Sequence, residues 1–126
     1  MQQAAREEQE SRAAVLSKAV LKVAGILGLS NSRLAKILGL SPSTITRLAA
    51  GAYLFAEGKK EWEFAVLLVR LFRSLDSISG GNEEVAAQWM RSENRAFAGR
   101  KPAELAETAE GLVRVVTYLD ASRGIV

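Results

Sequence analysis

The chain contains neither cysteine nor histidine. Those two absences exclude disulfides, thiolate nucleophiles, histidine-based triads and the usual zinc sites together. Proline occurs twice in 126 residues and aromatics make up 6%, so little in the chain breaks a helix and large rings are few. Long apolar runs are also missing. The longest, Phe64 to Val69, is far shorter than the roughly 20 residues that cross a bilayer. The sequence opens Met-Gln-Gln-Ala-Ala-Arg-Glu-Glu, polar and charged where a signal peptide would be apolar. These absences point to a cytoplasmic protein without membrane association. There is no internal repeat and no low-complexity tract.

Apolar residues account for 48% of the chain, enough for a packed core. Ala, Leu, Glu, Arg and Lys dominate, which favours helix. The expected fold class is all-α, with an N-terminal helix-turn-helix lobe and a small helical lobe after it. Three regions are expected. Residues 1–11, polar and rich in Gln and Glu, read as a frayed helix start or a flexible arm. Residues 12–76 form the helix-turn-helix lobe with a long connecting helix. Residues 77–126 form the C-terminal lobe, after the break Ser77-Ile-Ser-Gly-Gly.

The densest pattern runs from Asn31 to Ala50: NSRLAKILGLSPSTITRLAA. It reads as two short helices around a glycine turn, the arrangement that sets a second helix in a DNA major groove. Leu34 and Ala35 point inward, Gly39 takes the turn, and Leu40 plugs the corner. Ser41 caps the second helix and Pro42 occupies its first position, where a missing N–H costs nothing. Ile45 and Leu48 bury its inner face. Ser43, Thr44, Thr46 and Arg47 are expected outside, as hydrogen-bonding groups for bases and phosphates. Arg47 can donate two bonds to guanine. Arg33 and Lys36 on the first helix are expected to meet phosphates, and Lys59 and Lys60 are further candidates.

Charge distribution agrees. The net charge is +3, but residues 1–60 carry nine basic and four acidic side chains, against eight and ten in residues 61–126. The cationic half holds the helix-turn-helix, as phosphate attraction requires. One such motif reads few bases, so a two-fold homodimer reading half-sites about 10 bp apart is expected.

The C-terminal half carries a second pattern: Trp89, Asn94, Phe97, Gly99, Pro102, Leu105, Thr108, Gly111, Val115, Leu119 and Gly124. The stretch RKPAELAETAEGLVRVVTYLDA resembles the toxin-binding region of Xre/MbcA/ParS-type antitoxins, which likewise follows a helix-turn-helix. Ala103 departs from a leucine common after the proline. The resemblance implies a RES-domain toxin as partner, an enzyme that degrades NAD⁺ or uses it to transfer ADP-ribose. It implies an antitoxin that covers the toxin's active-site cleft and represses its own operon at an operator DNA. Pro102, Glu104, Leu105, Thr108 and Gly111 would shape the lobe. Arg123, Gly124, Ile125 and Val126 would lie nearest the cleft, with Arg114 and Tyr118 on the exposed face of the same helix. Arg123 reads as an unhindered cation suited to pyrophosphate or carboxylate, or simply as a complement to the helix C-terminus. Trp62, Trp89 and Phe97 read as core.

The competing reading is a stand-alone dimeric repressor whose C-terminal lobe only oligomerises or senses a ligand. An enzyme is disfavoured. The carboxylate pairs Glu83 with Glu84 and Glu107 with Glu110 sit at helix starts, where acidic residues belong electrostatically, and no phosphate loop or activated nucleophile accompanies them. No cofactor and no metal are expected.

Overall fold

A computed structural model describes residues 2–124. Among these, the elements are α1 (Gln2–Leu27), α2 (Asn31–Leu38), α3 (Pro42–Ala49), α4 (Lys60–Ile78), α5 (Glu83–Arg91), a 3-10 turn (Arg95–Phe97), α6 (Pro102–Leu105) and α7 (Ala109–Ser122). No strand occurs among the described residues, and the fold is all-α.

Local chemistry sets most helix starts. Ser30, Ser41, Asn82 and Thr108 each accept a backbone N–H from the residue three ahead, satisfying a donor that the helix itself leaves orphaned. Gly39 ends α2 in the left-handed region at φ 72°. The N–H of Leu40 then reaches back to the carbonyl of Ala35 at 2.9 Å, a closure typical of glycine-ended helices. A Cβ at Gly39 would also stand 3.5 Å from the Phe64 ring, so the corner is tight as well as left-handed.

Two boundaries sharpen the sequence expectation. Residues 2–11 take the helical reading and not that of an irregular arm: α1 is helical from Gln2 onward, with every side chain from Gln2 to Arg12 exposed. The reason is composition. This stretch is built of Gln, Ala, Glu and Arg, all good helix formers, and the helix behind it supplies the nucleus that an isolated segment would lack. The break placed at residue 77 begins later. Helix α4 continues through Ile78 and turns at Ser79 to Gly81, with Gly81 N–H bonded to the carbonyl of Asp76 at 3.0 Å.

Helix α4 lies at the centre. Ala65, Leu68, Leu71 and Leu75 are fully buried along it, and it packs against α1, α2, α5 and α7. The buried side chains of both lobes form one cluster, from Val20 and Leu34 through Leu68 to Leu112 and Leu119. Trp62 and Trp89 pack at its margin rather than inside it, while Phe97 is fully buried.

The junction of α6 and α7 leaves no room at Gly111. A Cβ there would fall 1.9 Å from the Leu105 carbonyl oxygen and 2.9 Å from Thr108 Oγ1. Since the obstacle is backbone, Gly111→Ala is expected to lower stability by about 2–3 kcal/mol in urea unfolding. Thr108→Ala, which removes only the cap, should lower it by about 1 kcal/mol. Equal midpoints for the two variants would show that α7 can slide away from Leu105.

Candidate functional site

Helix α3 presents one exposed edge. Ser43, Thr46 and Arg47 are exposed, while Thr44, Ile45 and Leu48 are buried. Thr44 therefore corrects the sequence expectation. Its hydroxyl lies 2.9 Å from Ser41 Oγ and accepts from Arg47 Nη2 at 3.3 Å, so it holds the helix start together rather than facing solvent. Thr44 and Leu48 are one helical turn apart, which places both on the inner face. Ser43 also shares a hydrogen bond with Ser41, at 3.0 Å. Thr46 donates back to the carbonyl of Pro42 at 3.3 Å, so its hydroxyl has a partner already.

Arg47 is held in place at the end of this edge. Its guanidinium lies over the Tyr53 ring, 5.5 Å from the centroid, a cation–π contact. Tyr53 in turn donates from its hydroxyl to Glu61 at 2.6 Å. Burial first, then the bond to Glu61 and its charge, push the Tyr53 hydroxyl up to about 12, against the opposing charge of Arg47. Tyr53 thus stays neutral at physiological pH and keeps its donor role. The sequence analysis did not find this support. Its only sign was the aromatic character of the loop after α3.

Arg33 and Lys36 do not stand clear as phosphate ligands. Arg33 Nε donates to Glu107 at 2.9 Å, and Lys36 Nζ lies 3.5 Å from the other oxygen of the same carboxylate. Glu107 sits between α6 and α7, so these cations tie the helix-turn-helix to the C-terminal lobe. Lys59 and Lys60 are exposed at the start of α4.

On the C-terminal lobe, Arg114 and Tyr118 lie on the exposed face of α7, as expected. They belong to an aromatic group. The Tyr118 ring stacks on Trp89 at 6.3 Å between centroids and meets Phe97 edge-on at 5.1 Å. Arg114 lies over Phe97 at 5.5 Å. The partly exposed Trp89 and Tyr118 rings, with the exposed Arg114 over the buried Phe97 beside them, make a surface suited to protein contact.

Arg123 is not the unhindered cation that the sequence implied. Its Nη1 donates to Ser74 Oγ at 3.1 Å, Ser74 donates to Asp120 Oδ1 at 2.8 Å, and Arg70 pairs with the other oxygen of Asp120. The cause is helical spacing. Residues 120 and 123 follow one another along the same side of α7, facing Ser74 on α4. Gly124 follows with φ 81°. Ile125 and Val126 lie outside the described residues.

Burial alone would push the Asp120 carboxyl up. The hydrogen bonds from Ser74 and Arg70, and the charges of Arg70 and Arg123, outweigh burial and hold it below the usual carboxylate value. The folded state then favours the ionised form. Its stabilisation is complete above the unfolded value of about 3.9 and is lost as pH falls through the lower folded value. Asp120→Asn is expected to lower the melting temperature at neutral pH and to flatten the curve of melting temperature against pH below about 4. Parallel curves for variant and wild type would show that the network contributes nothing to acid unfolding.

Two separate surfaces thus stand on one core, a helix-turn-helix edge and an aromatic–cationic lobe, and the class of protein follows from what these two parts match. Residues 7–70 match the antitoxin Xre-like helix-turn-helix domain, and residues 69–124 match the antitoxin Xre/MbcA/ParS C-terminal toxin-binding domain. The chain belongs to the Xre/MbcA/ParS antitoxin family, whose members are not enzymes.

A chain in the crystal structure of the M. tuberculosis MbcT-MbcA toxin-antitoxin complex has a similar fold. The TM-score is 0.64 at 27% identity, over 89% of this chain and 97% of that one. A shorter similarity, 44% identity over 39 residues, links the chain to 6-hydroxy-3-succinoylpyridine 3-monooxygenase HspA of Pseudomonas putida (strain DSM 28022 / S16). It covers 31% of this chain and only 12% of that protein. Among the described residues no helix is long and apolar enough to cross a membrane.

Proposed function

We propose that this antitoxin binds a RES-domain toxin through its C-terminal lobe, blocks the toxin's active site, and represses its own operon through α3. The observation that carries this reading is the order of the two family domains, which together span residues 7–124 without a gap. The fold shared with a chain of a toxin–antitoxin complex supports the protein partner. Operator binding is supported by the exposed Ser43, Thr46 and Arg47 edge and by the positive N-terminal half. A homodimer would place two such edges on one duplex.

On the duplex, Arg47 is the base-reading side chain, pre-set by Tyr53 and Thr44. Ser43 and Thr46 supply shorter contacts. Arg33 and Lys36 reach phosphate only in competition with Glu107, so their contribution is smaller than their charge suggests. On the toxin, Arg114 and Tyr118 present the aromatic–cationic surface, and the end of α7 at Arg123 and Gly124 approaches the cleft.

Co-expression with the product of the adjacent reading frame tests the central claim. The expected result is a stable complex that abolishes a growth-inhibiting NAD⁺-consuming or ADP-ribosylating activity. A harmless neighbour with no complex would favour the stand-alone repressor.

Two variants separate the surfaces. Arg47→Ala is expected to reduce operator binding at least about tenfold in a mobility-shift assay, as loss of a bidentate base contact implies, while neutralisation persists. A chain ending at Ser122 is expected to bind operator and to neutralise poorly. Full protection of cells by that shortened chain would place the toxin contact elsewhere on the lobe.

A further inference from the structure

The loop between α3 and α4 carries a chain of contacts that ends on Arg47. Glu61, half-buried in the first turn of α4, uses one carboxylate oxygen twice. Its Oε2 accepts the Tyr53 hydroxyl at 2.6 Å and the N–H of Ala56 at 3.4 Å. A single side chain of α4 thus spans the loop. Phe55 is buried between these two points and meets the Tyr53 ring edge-on, 6.5 Å between centroids. The ring is fixed at its edge by Phe55 and at its hydroxyl by Glu61, and its face carries Arg47.

Arg47 needs such support more than its neighbours do. Ser43 and Thr46 are short, whereas an arginine gives up much rotamer freedom when it is held in one geometry. Its two contacts, Thr44 Oγ1 and the Tyr53 face, are both uncharged. Glu61 acts on it only through the ring: no ion pair joins Glu61 to Arg47 among the described residues. A phenol that donates to a carboxylate is polarised by it, which strengthens the hold of the ring on a cation.

We infer that Glu61 is a positioning residue for base reading: through Tyr53 it fixes Arg47 in the orientation from which its fork meets a guanine. The inference rests on the reading of α3 as the operator-binding helix, and adds to it a residue outside α2 and α3. Glu61 itself touches no base. Its share of the discrimination is preorganisation, since an arginine already in place loses less freedom on docking.

Duplexes that the wild-type chain selects from a randomised pool, and single-base changes of them, test this in a mobility-shift assay on the full chain. Arg47→Ala marks the position that Arg47 reads, by flattening the preference for guanine there. Tyr53→Leu and Glu61→Ala are expected to cut the preference at that same position at least about threefold, part of what a bidentate pair is worth. Preferences at the other positions should hold. Tyr53→Phe keeps the ring and loses only the bond to Glu61; it should weaken the same position with a thermal melt close to wild type. Glu61→Gln retains an oxygen acceptor and should restore most of the preference. Added to Arg47→Ala, Glu61→Ala should take nothing further from that position, because residues acting in one chain of contacts are not additive. Unchanged preference in Tyr53→Leu, equal loss at every position, or further loss on top of Arg47→Ala would leave Glu61 only a stabiliser of the loop. Each of these overturns the inference while operator reading stands. An Arg47→Ala chain with every preference intact, or a wild type that selects no sequence, would overturn base reading by Arg47 and the inference with it.

Discussion

The burial of α4 by both lobes is the constraint on which the rest of the molecule depends. Ala65, Leu68, Leu71 and Leu75 lie along it with almost no exposed surface, and α1 and α2 cover one part while α7 covers another. The two family domains meet at residues 69 and 70, inside this helix. The border between them is therefore a stretch of continuous helix with buried side chains on both sides. A helix buried this way transmits position rigidly, because a close-packed interior resists small displacements. The exposed edge of α3 and the C-terminal lobe are two faces of a single core.

Short-range chemistry was legible in the sequence. The Ser41 cap and the turn at Gly39 are decided within four residues, and each is where local pattern placed it. The inward pair Ile45 and Leu48 was equally plain. Thr44 was misjudged because residue type was given more weight than spacing: its hydroxyl suggests an outer position, but its place one turn before Leu48 puts it inside. The start of α1 stayed open between helix and arm for the opposite reason. Apolar periodicity fades before Arg12, while intrinsic helix preference does not, and a helix already nucleated extends at little cost.

Long-range pairings were not legible. Nothing in the local sequence couples Arg33 to Glu107, 74 positions away, or Arg123 to Ser74, 49 positions away. Periodicity shows which face of a helix is polar; it does not show which polar group lies opposite. Hence the sequence assigned to a ligand several cations that the fold itself also holds in pairs. The same limit hid Tyr53 beneath Arg47 and Trp89 beneath Tyr118.

Those internal pairings change how the charge of the N-terminal half should be understood. An ion pair with partial exposure is a weak bond, typically up to about 1 kcal/mol, so Glu107 does not remove Arg33 and Lys36 from use. It sets a competitor beside them. Any polyanion approaching α2 must displace a carboxylate that stands just ahead of the Thr108 cap and the crowded Gly111 backbone. Arg47 faces no such competitor: its contacts, an aromatic face and a hydroxyl oxygen, orient the guanidinium without neutralising it. The molecule thus divides these cations by partner. Arg33 and Lys36, paired with Glu107, hold the two lobes together, and Arg47, laid on Tyr53, keeps its charge clear of a carboxylate among the described residues.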